Sequence, residues 1–177
     1  RRVLFRSAML EAIEGFKDYQ AVIAGAPGID PDYYKEYIGG NSCKIVFGQT
    51  YRLLQYADVA LVTSGTATLE TALFKVPQVV CYKTPIPHVV YWAFKNILHT
   101  KYISLVNLIA DRVVVQELFA KFFSVDTIRE EVNKLLNDKT YRETMLADYD
   151  EVIKILGESG ASQRAADIII QKLKRGK

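Results

Sequence analysis

Short apolar runs alternate with amphipathic stretches over the first half of the chain. The runs that predict strands lie at 20–25, 44–47, 58–62 and just after Pro77, and the stretches that predict helices lie at 8–16, 31–38, 50–56 and after a turn at 63–66. Strands that are apolar throughout, rather than alternating, belong to a parallel sheet covered on both faces. The order therefore predicts an α/β domain with a parallel sheet between helices.

The second half of the chain has a different pattern. A stiff loop at 83–87 leads into an aromatic stretch at 88–99, and a short strand is predicted at 102–105. Amphipathic helices are predicted near 115–122, 125–136, 139–156 and 161–174. We expect an α/β domain at 8–112 and a tail of helices at 113–177 that packs on it and reaches toward another domain or a partner subunit.

Length and charge place limits on the function. The chain has 177 residues, half of them apolar, which suits one domain with a sizeable core. Its net charge of +3 includes Arg1, Arg2 and Arg6, which lie in a heptapeptide that resembles a translated sequencing adapter and is predicted to be a non-native leader. Without them the 23 basic residues become 20 and match the 20 acidic residues. A nucleic-acid-binding face is therefore not expected.

The cysteines and the remaining composition exclude several other classes of protein. Cys43 and Cys81 lack the spacing of a metal site, which favours two reduced thiols in a cytoplasmic protein. The sequence contains no metal-ligand cluster, paired-carboxylate motif or Ser-His-Asp arrangement, so neither a metal nor a cofactor is expected. It also contains no apolar run of the length that a membrane-spanning helix needs.

The turn at 63–66 carries the candidate chemistry. Gly65 lets a ligand approach the backbone, and the hydroxyls of Ser64 and Thr66 can donate to phosphate oxygens together with the first amides of the following helix. Glu70 lies one helical turn beyond Thr66, where a carboxylate can accept hydrogen bonds from ribose hydroxyls. The alternative is that Thr63 or Ser64 only caps the helix and that Glu70 is a solvated surface residue.

Three motifs together resemble the C-terminal half of the lipid-A-disaccharide synthase family. They are the segments at 64–70, 77–83 and 102–110, and the similarity runs from about residue 8 to residue 170. That family consists of inverting glycosyltransferases with two Rossmann domains, the GT-B architecture. The resemblance implies a Rossmann-like UDP-sugar-binding half with a helical C-terminal tail. It also implies a Gly-Ser-Arg loop and a further Rossmann half upstream of residue 8.

The resemblance also implies a reaction and a site. The reaction moves 2,3-diacylglucosamine from its UDP form to 2,3-diacylglucosamine 1-phosphate and releases UDP, at the cytoplasmic surface of the inner membrane of a bacterium with an outer membrane. The expected partners are these two substrates and a second copy of the chain. The implied nucleotide-sugar site comprises Ser64, Gly65, Thr66, Ala67, Glu70, Asn107 and Arg112. The first residues hold the diphosphate, Glu70 holds the ribose, Asn107 lines the nucleotide site and Arg112 is a lesser candidate for the phosphate charge.

Several alternatives stay open at the level of sequence. The general base is expected on the other half, because His88 and His99 have no nearby carboxylate and structural roles are favoured for both. The stretch at 88–102 either lies at a bilayer surface or forms an ordinary core helix. The chain could also be part of another UDP-sugar enzyme, such as an epimerase, or a non-catalytic dimerisation domain. We expect the isolated chain to bind UDP weakly and not to turn over.

Overall fold

The computed structural model describes residues 2–38, 43–63, 65–83, 101–157 and 160–175. Strands and helices alternate through its first part, and a group of helices follows. The elements are α1 (Arg2–Ile13), β1 (Val22–Gly25), α2 (Pro31–Ile38), β2 (Lys44–Phe47), α3 (Thr50–Leu54), β3 (Ala60–Val62), α4 (Gly65–Leu73), β4 (Gln78–Tyr82), α5 (Leu105–Ala110), β5 (Gln116–Phe119), a 3₁₀ helix (Ala120–Phe122), α6 (Val125–Asn137), α7 (Lys139–Leu156) and α8 (Ala161–Arg175).

The strand pairs in the described part of the chain are parallel. Strand β1 pairs with β2, while β3, β4 and β5 form a three-stranded sheet with β4 in the centre. Val62, Val80 and Glu117 lie side by side across this sheet. Because parallel strands all run the same way, the loops that follow them emerge at one edge. The arrangement confirms the predicted α/β, Rossmann-like fold with a helical tail.

The core is centred on β4. Val79, Val80 and Cys81 are fully buried, and since successive strand residues point to opposite faces, both faces of β4 are covered. Helix α4 contacts β3 and β4, and it also packs against α5 and α7. Helix α6 contacts β4 and β5 and packs against α1. The continuous apolar run of β4 thus reflects its position between helices, as the sequence predicts.

The helical tail is stabilised at its helix ends. Ser124 caps α6 by accepting a hydrogen bond from the Thr127 amide at 3.1 Å, and the Thr127 side chain accepts one from the Ser124 amide. Asp138 caps α7 by accepting from the Tyr141 amide at 3.0 Å. The two helices turn an apolar stripe to the core, formed by Ile128, Val132, Leu135, Met145, Tyr149 and Val152. The predicted helices at 125–136 and 139–156 are confirmed.

Two predicted elements are wrong. The helix predicted at 115–122 is instead β5 followed by the 3₁₀ helix, because this segment pairs in parallel with β4 and so completes the sheet. The strand predicted at 102–105 is wrong because this segment leads into α5. Ser104 caps that helix, with its hydroxyl accepting from the Asn107 amide at 3.3 Å.

Candidate functional site

The turn after β3 presents an open helix start at the carboxyl edge of the sheet. Strand β3 ends at Val62 and α4 begins at Gly65, so only two residues separate them. Apart from its chain neighbours, no described heavy atom lies within 4 Å of a Cβ atom placed on Gly65, so the described residues leave room beside this glycine. The first amides of a helix have no partner within the helix, and the helix dipole makes this end positive. An anion can therefore approach here. Ser64, the other residue of this turn predicted to bind phosphate, lies outside the described residues.

Helix α4 has one polar face and one core face. Thr68 and Thr71 are buried, and their hydroxyls donate to the carbonyls of Gly65 and Ala67, which satisfies them within the helix. Thr66 is exposed. Glu70 is half-buried one turn further on, and its carboxylate has no hydrogen bond or ion pair with the described residues. Thr66 and Glu70 thus line up on the accessible side of the helix that starts at Gly65.

A second wall faces this side of α4. An open groove of about 470 Å³ is lined by Glu70 and by the segment that follows β2, namely Gly48, Gln49, Thr50, Tyr51 and Arg52. We call this segment the β2–α3 wall. The volume of the groove is within the range of 300–1,000 Å³ that is common for small-molecule sites. None of the residues that the sequence predicts for the nucleotide site lies in this wall. One feature of the sequence does point to the wall. Gly48 follows a predicted parallel strand, so its loop emerges at the same kind of sheet edge as the turn at Gly65.

Ring stacking holds the β2–α3 wall against α4. The Tyr51 and Phe74 rings stack with their centroids 5.3 Å apart and their planes at 24°. Phe74 directly follows α4 and lies one turn beyond Glu70, so the same side of the helix carries both residues. Gly48 has a φ of 65°, a left-handed backbone conformation that glycine adopts without strain. The wall therefore turns sharply at Gly48 and returns to α4 at Tyr51.

Asn107 lies on α5 and is 1% exposed. Its side-chain oxygen accepts from the amides of Val114 and Val115 at 2.8 and 2.9 Å. Its side-chain nitrogen donates to the Val115 carbonyl and to Glu117 Oε1, both at 2.9 Å. These four bonds use the two donors and both acceptor positions of the amide. In this structure Asn107 therefore fastens α5 to the segment that leads into β5.

Glu117 completes that network, although it is not among the residues predicted from the sequence. Its carboxylate accepts from the amides of Ile103 and Ser104 at 2.9 and 2.8 Å and from the Ser104 hydroxyl at 2.7 Å, in addition to the Asn107 side chain. A carboxylate bonded to several donors is a strong anchor. Glu117 thus fixes the segment from Ile103 to Asn107 against β5. An isolated Glu within an apolar segment gave no sign of this role, because its partners come from ten and more positions earlier in the chain.

Arg112 is engaged by α7. Its guanidinium donates to Asp148 at 2.8 Å and to Glu151 at 2.6 Å, and its side chain is 41% exposed. Hydrogen bonds to Asp148 first and to Glu151 second raise the pKa of the guanidinium above its ordinary value. Two carboxylates already balance this cation. Arg112 thus joins the end of α5 to α7, and it is not among the residues that line the groove.

The structure brings together only part of the predicted site. Gly65, Thr66, Ala67 and Glu70 share the start and one side of α4, whereas Asn107 and Arg112 belong to the hydrogen-bond and ion-pair networks around α5. The predicted aromatic stretch lies outside the described residues up to residue 100. Within residues 2–38, 43–63, 65–83, 101–157 and 160–175, no group of His, Cys, Asp and Glu side chains is placed to hold a metal ion.

Comparisons with known proteins all point to the same family. The model of the lipid-A-disaccharide synthetase family matches residues 35–171. The chain is 34% identical to the lipid-A-disaccharide synthase of Anaeromyxobacter dehalogenans strain 2CP-C over 92% of the chain and 44% of that protein. It is 34% identical to the enzyme of the same name from Myxococcus xanthus over 89% of the chain and 41% of that protein. For Solibacter usitatus the values are 32%, 96% and 45%. The chain thus spans less than half the length of these relatives.

Proposed function

Because the chain belongs to the lipid-A-disaccharide synthase family, we propose that it forms the UDP-sugar-binding part of an inverting glycosyltransferase of lipid A biosynthesis. The complete enzyme transfers 2,3-diacylglucosamine from its UDP form to 2,3-diacylglucosamine 1-phosphate and releases UDP. The observation in this chain that supports the proposal is the helix start at Gly65, which the described residues leave open, together with Glu70, which has no partner among them and lines a groove of about 470 Å³.

The proposed diphosphate subsite is the start of α4. Helix α4 begins with Gly65, Thr66 and Ala67, and the amides of a first helical turn point toward the helix start, where the positive end of the helix dipole favours the two phosphates. The hydroxyls of Thr66 and Ser64 add donors. Gly65 is required because a larger side chain would occupy the space that the phosphate needs.

Of the other residues of the proposed site, Glu70 contacts the nucleotide directly, whereas Asn107 and Arg112 act indirectly. Glu70 accepts hydrogen bonds from the ribose hydroxyls, which suits a carboxylate that has no partner among the described residues. Asn107 and Arg112 contribute through the backbone that they hold in place, because the side chain of each is already bonded within the protein. The nucleotide therefore lies along α4, and α5 supports that helix from the side.

In the proposed reaction, this chain stabilises the leaving group, UDP. The acceptor hydroxyl oxygen forms a bond to the sugar C1 while the bond from C1 to the UDP oxygen breaks with its electron pair. A base, which we place on the other half of the full-length protein, takes the hydroxyl proton. Negative charge grows on the departing diphosphate, and the fixed amide dipoles at Gly65 stabilise it without reorganisation. No residue of this chain is proposed as the base.

Calorimetric titration of the chain with UDP tests the site. Gly65→Val is expected to abolish measurable binding by filling the open space over α4. Glu70→Ala is expected to weaken binding by about tenfold or more, the loss expected for a hydrogen bond to a charged group. The wild-type chain is expected to bind UDP only weakly.

Matched variants separate a local effect from a general one. Gly28→Val adds the same side chain at another glycine whose Cβ would meet nothing within 4 Å, and Glu130→Ala removes an exposed carboxylate from α6. Both should bind UDP as the wild type does. Equal binding by the wild type, Gly65→Val and Glu70→Ala would refute the site, and no binding by the wild type would refute nucleotide recognition by this chain.

A non-catalytic dimerisation domain is a second candidate, favoured by the surface of α8. This helix exposes the apolar side chains of Ile168, Ile169, Ile170 and Leu173, whose exposed fractions range from 49% to 69%. Such a face normally meets a partner, which here is either the other half of the enzyme or a second copy of the chain. A concentration-dependent dimer, together with no rise in melting temperature in any nucleotide, would favour this candidate over the transferase.

The acylated substrates suggest where the enzyme acts. We place it at the cytoplasmic surface of the inner membrane, in contact with the bilayer through residues 88–102. Among the described residues, no helix combines the length and apolar character that crossing a bilayer requires. Co-sedimentation of the full-length protein with anionic vesicles tests the location, and recovery of all the protein in the supernatant would contradict it. An assay with acylated and unacylated UDP-sugars separates this enzyme from another transferase or an epimerase.

A further inference from the structure

The groove beside α4 contains charges of both signs that do not pair with each other. Glu70 lines it from α4, and Arg52 lines it from the β2–α3 wall. Among the described residues no ion pair is formed by either side chain, although they border the same groove. Gln49 and Thr50 add an amide and a hydroxyl to the lining. A ligand with hydroxyl donors at one end and negative charge at the other would satisfy both charged side chains, and a nucleoside diphosphate has this arrangement.

Tyr51, the neighbour of Arg52 in the chain, holds the β2–α3 wall against α4. Tyr51 stacks on Phe74, and Phe74 lies one turn beyond Glu70 on the same side of α4. Thr66 lies one turn before Glu70, so the order along this side from the helix start is Thr66, Glu70 and Phe74. The β2–α3 wall, which includes Arg52, therefore meets this side of α4 at Phe74 and Glu70, and Glu70 lies one turn from the helix start.

Other cations near this edge are less suited to the task. Arg112 is balanced by Asp148 and Glu151. Lys75, at the far end of α4, is paired with Asp150. Lys83 follows β4 and is not among the residues that line the groove. Of the described cations, Arg52 is the one that both lines the groove and lacks a carboxylate partner.

We infer that Arg52 supplies the cation that contacts the diphosphate, and that the β2–α3 wall is the second side of the nucleotide site. This inference rests on the proposed function, and it transfers to Arg52 the role that the sequence suggested for Arg112. A guanidinium suits the task because its planar set of donors matches phosphate oxygens. The start of α4 and the Arg52 side chain then both contact the diphosphate, and Glu70, which lies one turn from the helix start and lines the same groove as Arg52, contacts the ribose.

Titration of the chain with UDP and with uridine tests the inference. Arg52→Gln removes the charge and keeps a polar side chain, while Lys172→Gln makes the same charge change on the exposed face of α8. Arg52→Gln is expected to lower the affinity for UDP about tenfold or more and to leave the affinity for uridine unchanged. Arg52→Lys should restore part of the loss, and Lys172→Gln should match the wild type. Because Arg52 is exposed, the melting temperatures of these variants should agree.

The outcomes distinguish this inference from the proposed function. If the wild type binds UDP and Arg52→Gln binds it equally well, Arg52 does not contact the diphosphate and the inference fails alone. It also fails if UDP and uridine lose affinity by the same factor, because the contact would then be with the nucleoside. If the wild type binds no UDP, the proposed function fails and the inference fails with it. A larger loss of UDP affinity in Arg112→Gln than in Arg52→Gln would return the role to Arg112.

Discussion

Replacing Asn107 by alanine is expected to destabilise the whole fold. The side chain is 1% exposed and is the partner of two buried backbone amides, those of Val114 and Val115. Alanine offers neither group an acceptor. It also removes one of the donors that hold the Glu117 carboxylate. The change therefore leaves polar groups unpaired in the interior, where water has little access.

The cost can be estimated from these groups. Each buried amide that loses its only partner costs about 1–3 kcal/mol, and relaxation recovers part of this, so we expect a net loss of about 3–5 kcal/mol. This is a large part of the free energy of unfolding of a typical domain, which is about 5–15 kcal/mol. With a urea m-value of about 1–3 kcal/mol per molar, the unfolding midpoint should fall by about 1 M or more.

Urea unfolding followed by circular dichroism measures this loss. Leu108→Ala is the matched control, since Leu108 is the next residue of α5, is 41% exposed and should change the midpoint little. A midpoint for Asn107→Ala as high as that for Leu108→Ala would refute the account of Asn107 as a structural fastener. If Asn107 also touches the nucleotide, the folded fraction of Asn107→Ala will bind UDP more weakly than the wild type does.

Three further predictions follow, two from the burial of Cys81 and one from the cap of α6. Burial raises the pKa of the Cys81 thiol from its ordinary value near 9 to about 12, so this thiol should resist a thiol reagent at pH 8 until denaturant is added, whereas the half-buried Cys43 should react first. Because only the unfolded chain then releases the Cys81 proton between about pH 9 and pH 12, the free energy of unfolding should fall as pH rises through that window. Ser124→Ala removes the cap of α6 and should cost about 1 kcal/mol in thermal unfolding, and no change in melting temperature would contradict the capping role.

The sequence predicts the strands that are short, unbroken apolar runs, whether they are almost fully buried, as β4 is, or partly buried, as β3 is. The apolar runs at β3 and β4 have no helical spacing, so their assignment needs no tertiary information. Strand β5 was mistaken for a helix because Gln116 and Glu117 interrupt its apolar residues, and such a short mixed segment fits both periods. Only the pairing with β4 decides its structure.

The candidate site also has one part that the sequence predicts and one part that depends on tertiary contacts. The start of α4 is local, since a strand, a turn with Gly65 and a helix follow one another in the chain, and the sequence suffices to find it. The β2–α3 wall is not local. It reaches α4 through the contact of Tyr51 with Phe74, and the sequence of neither segment indicates that the two residues are in contact. Position in sequence predicts a residue's neighbours along the chain, whereas a pocket depends on neighbours in space.

The two arginines show why pairing has to be known before a cation is assigned to a ligand. Arg112 follows a motif of the family, and for this reason the sequence suggests that it binds phosphate. Asp148 and Glu151, however, lie on α7 and pair with Arg112 only in the folded chain. A phosphate that approached Arg112 would have to compete with two carboxylates that are already in place. Arg52 belongs to none of the three family motifs, yet it borders the groove with its charge unbalanced by any described carboxylate. A cation contributes less free energy to anion binding when it must first give up another partner, so we propose Arg52, which has no ion pair with the described residues, as the phosphate ligand in place of Arg112.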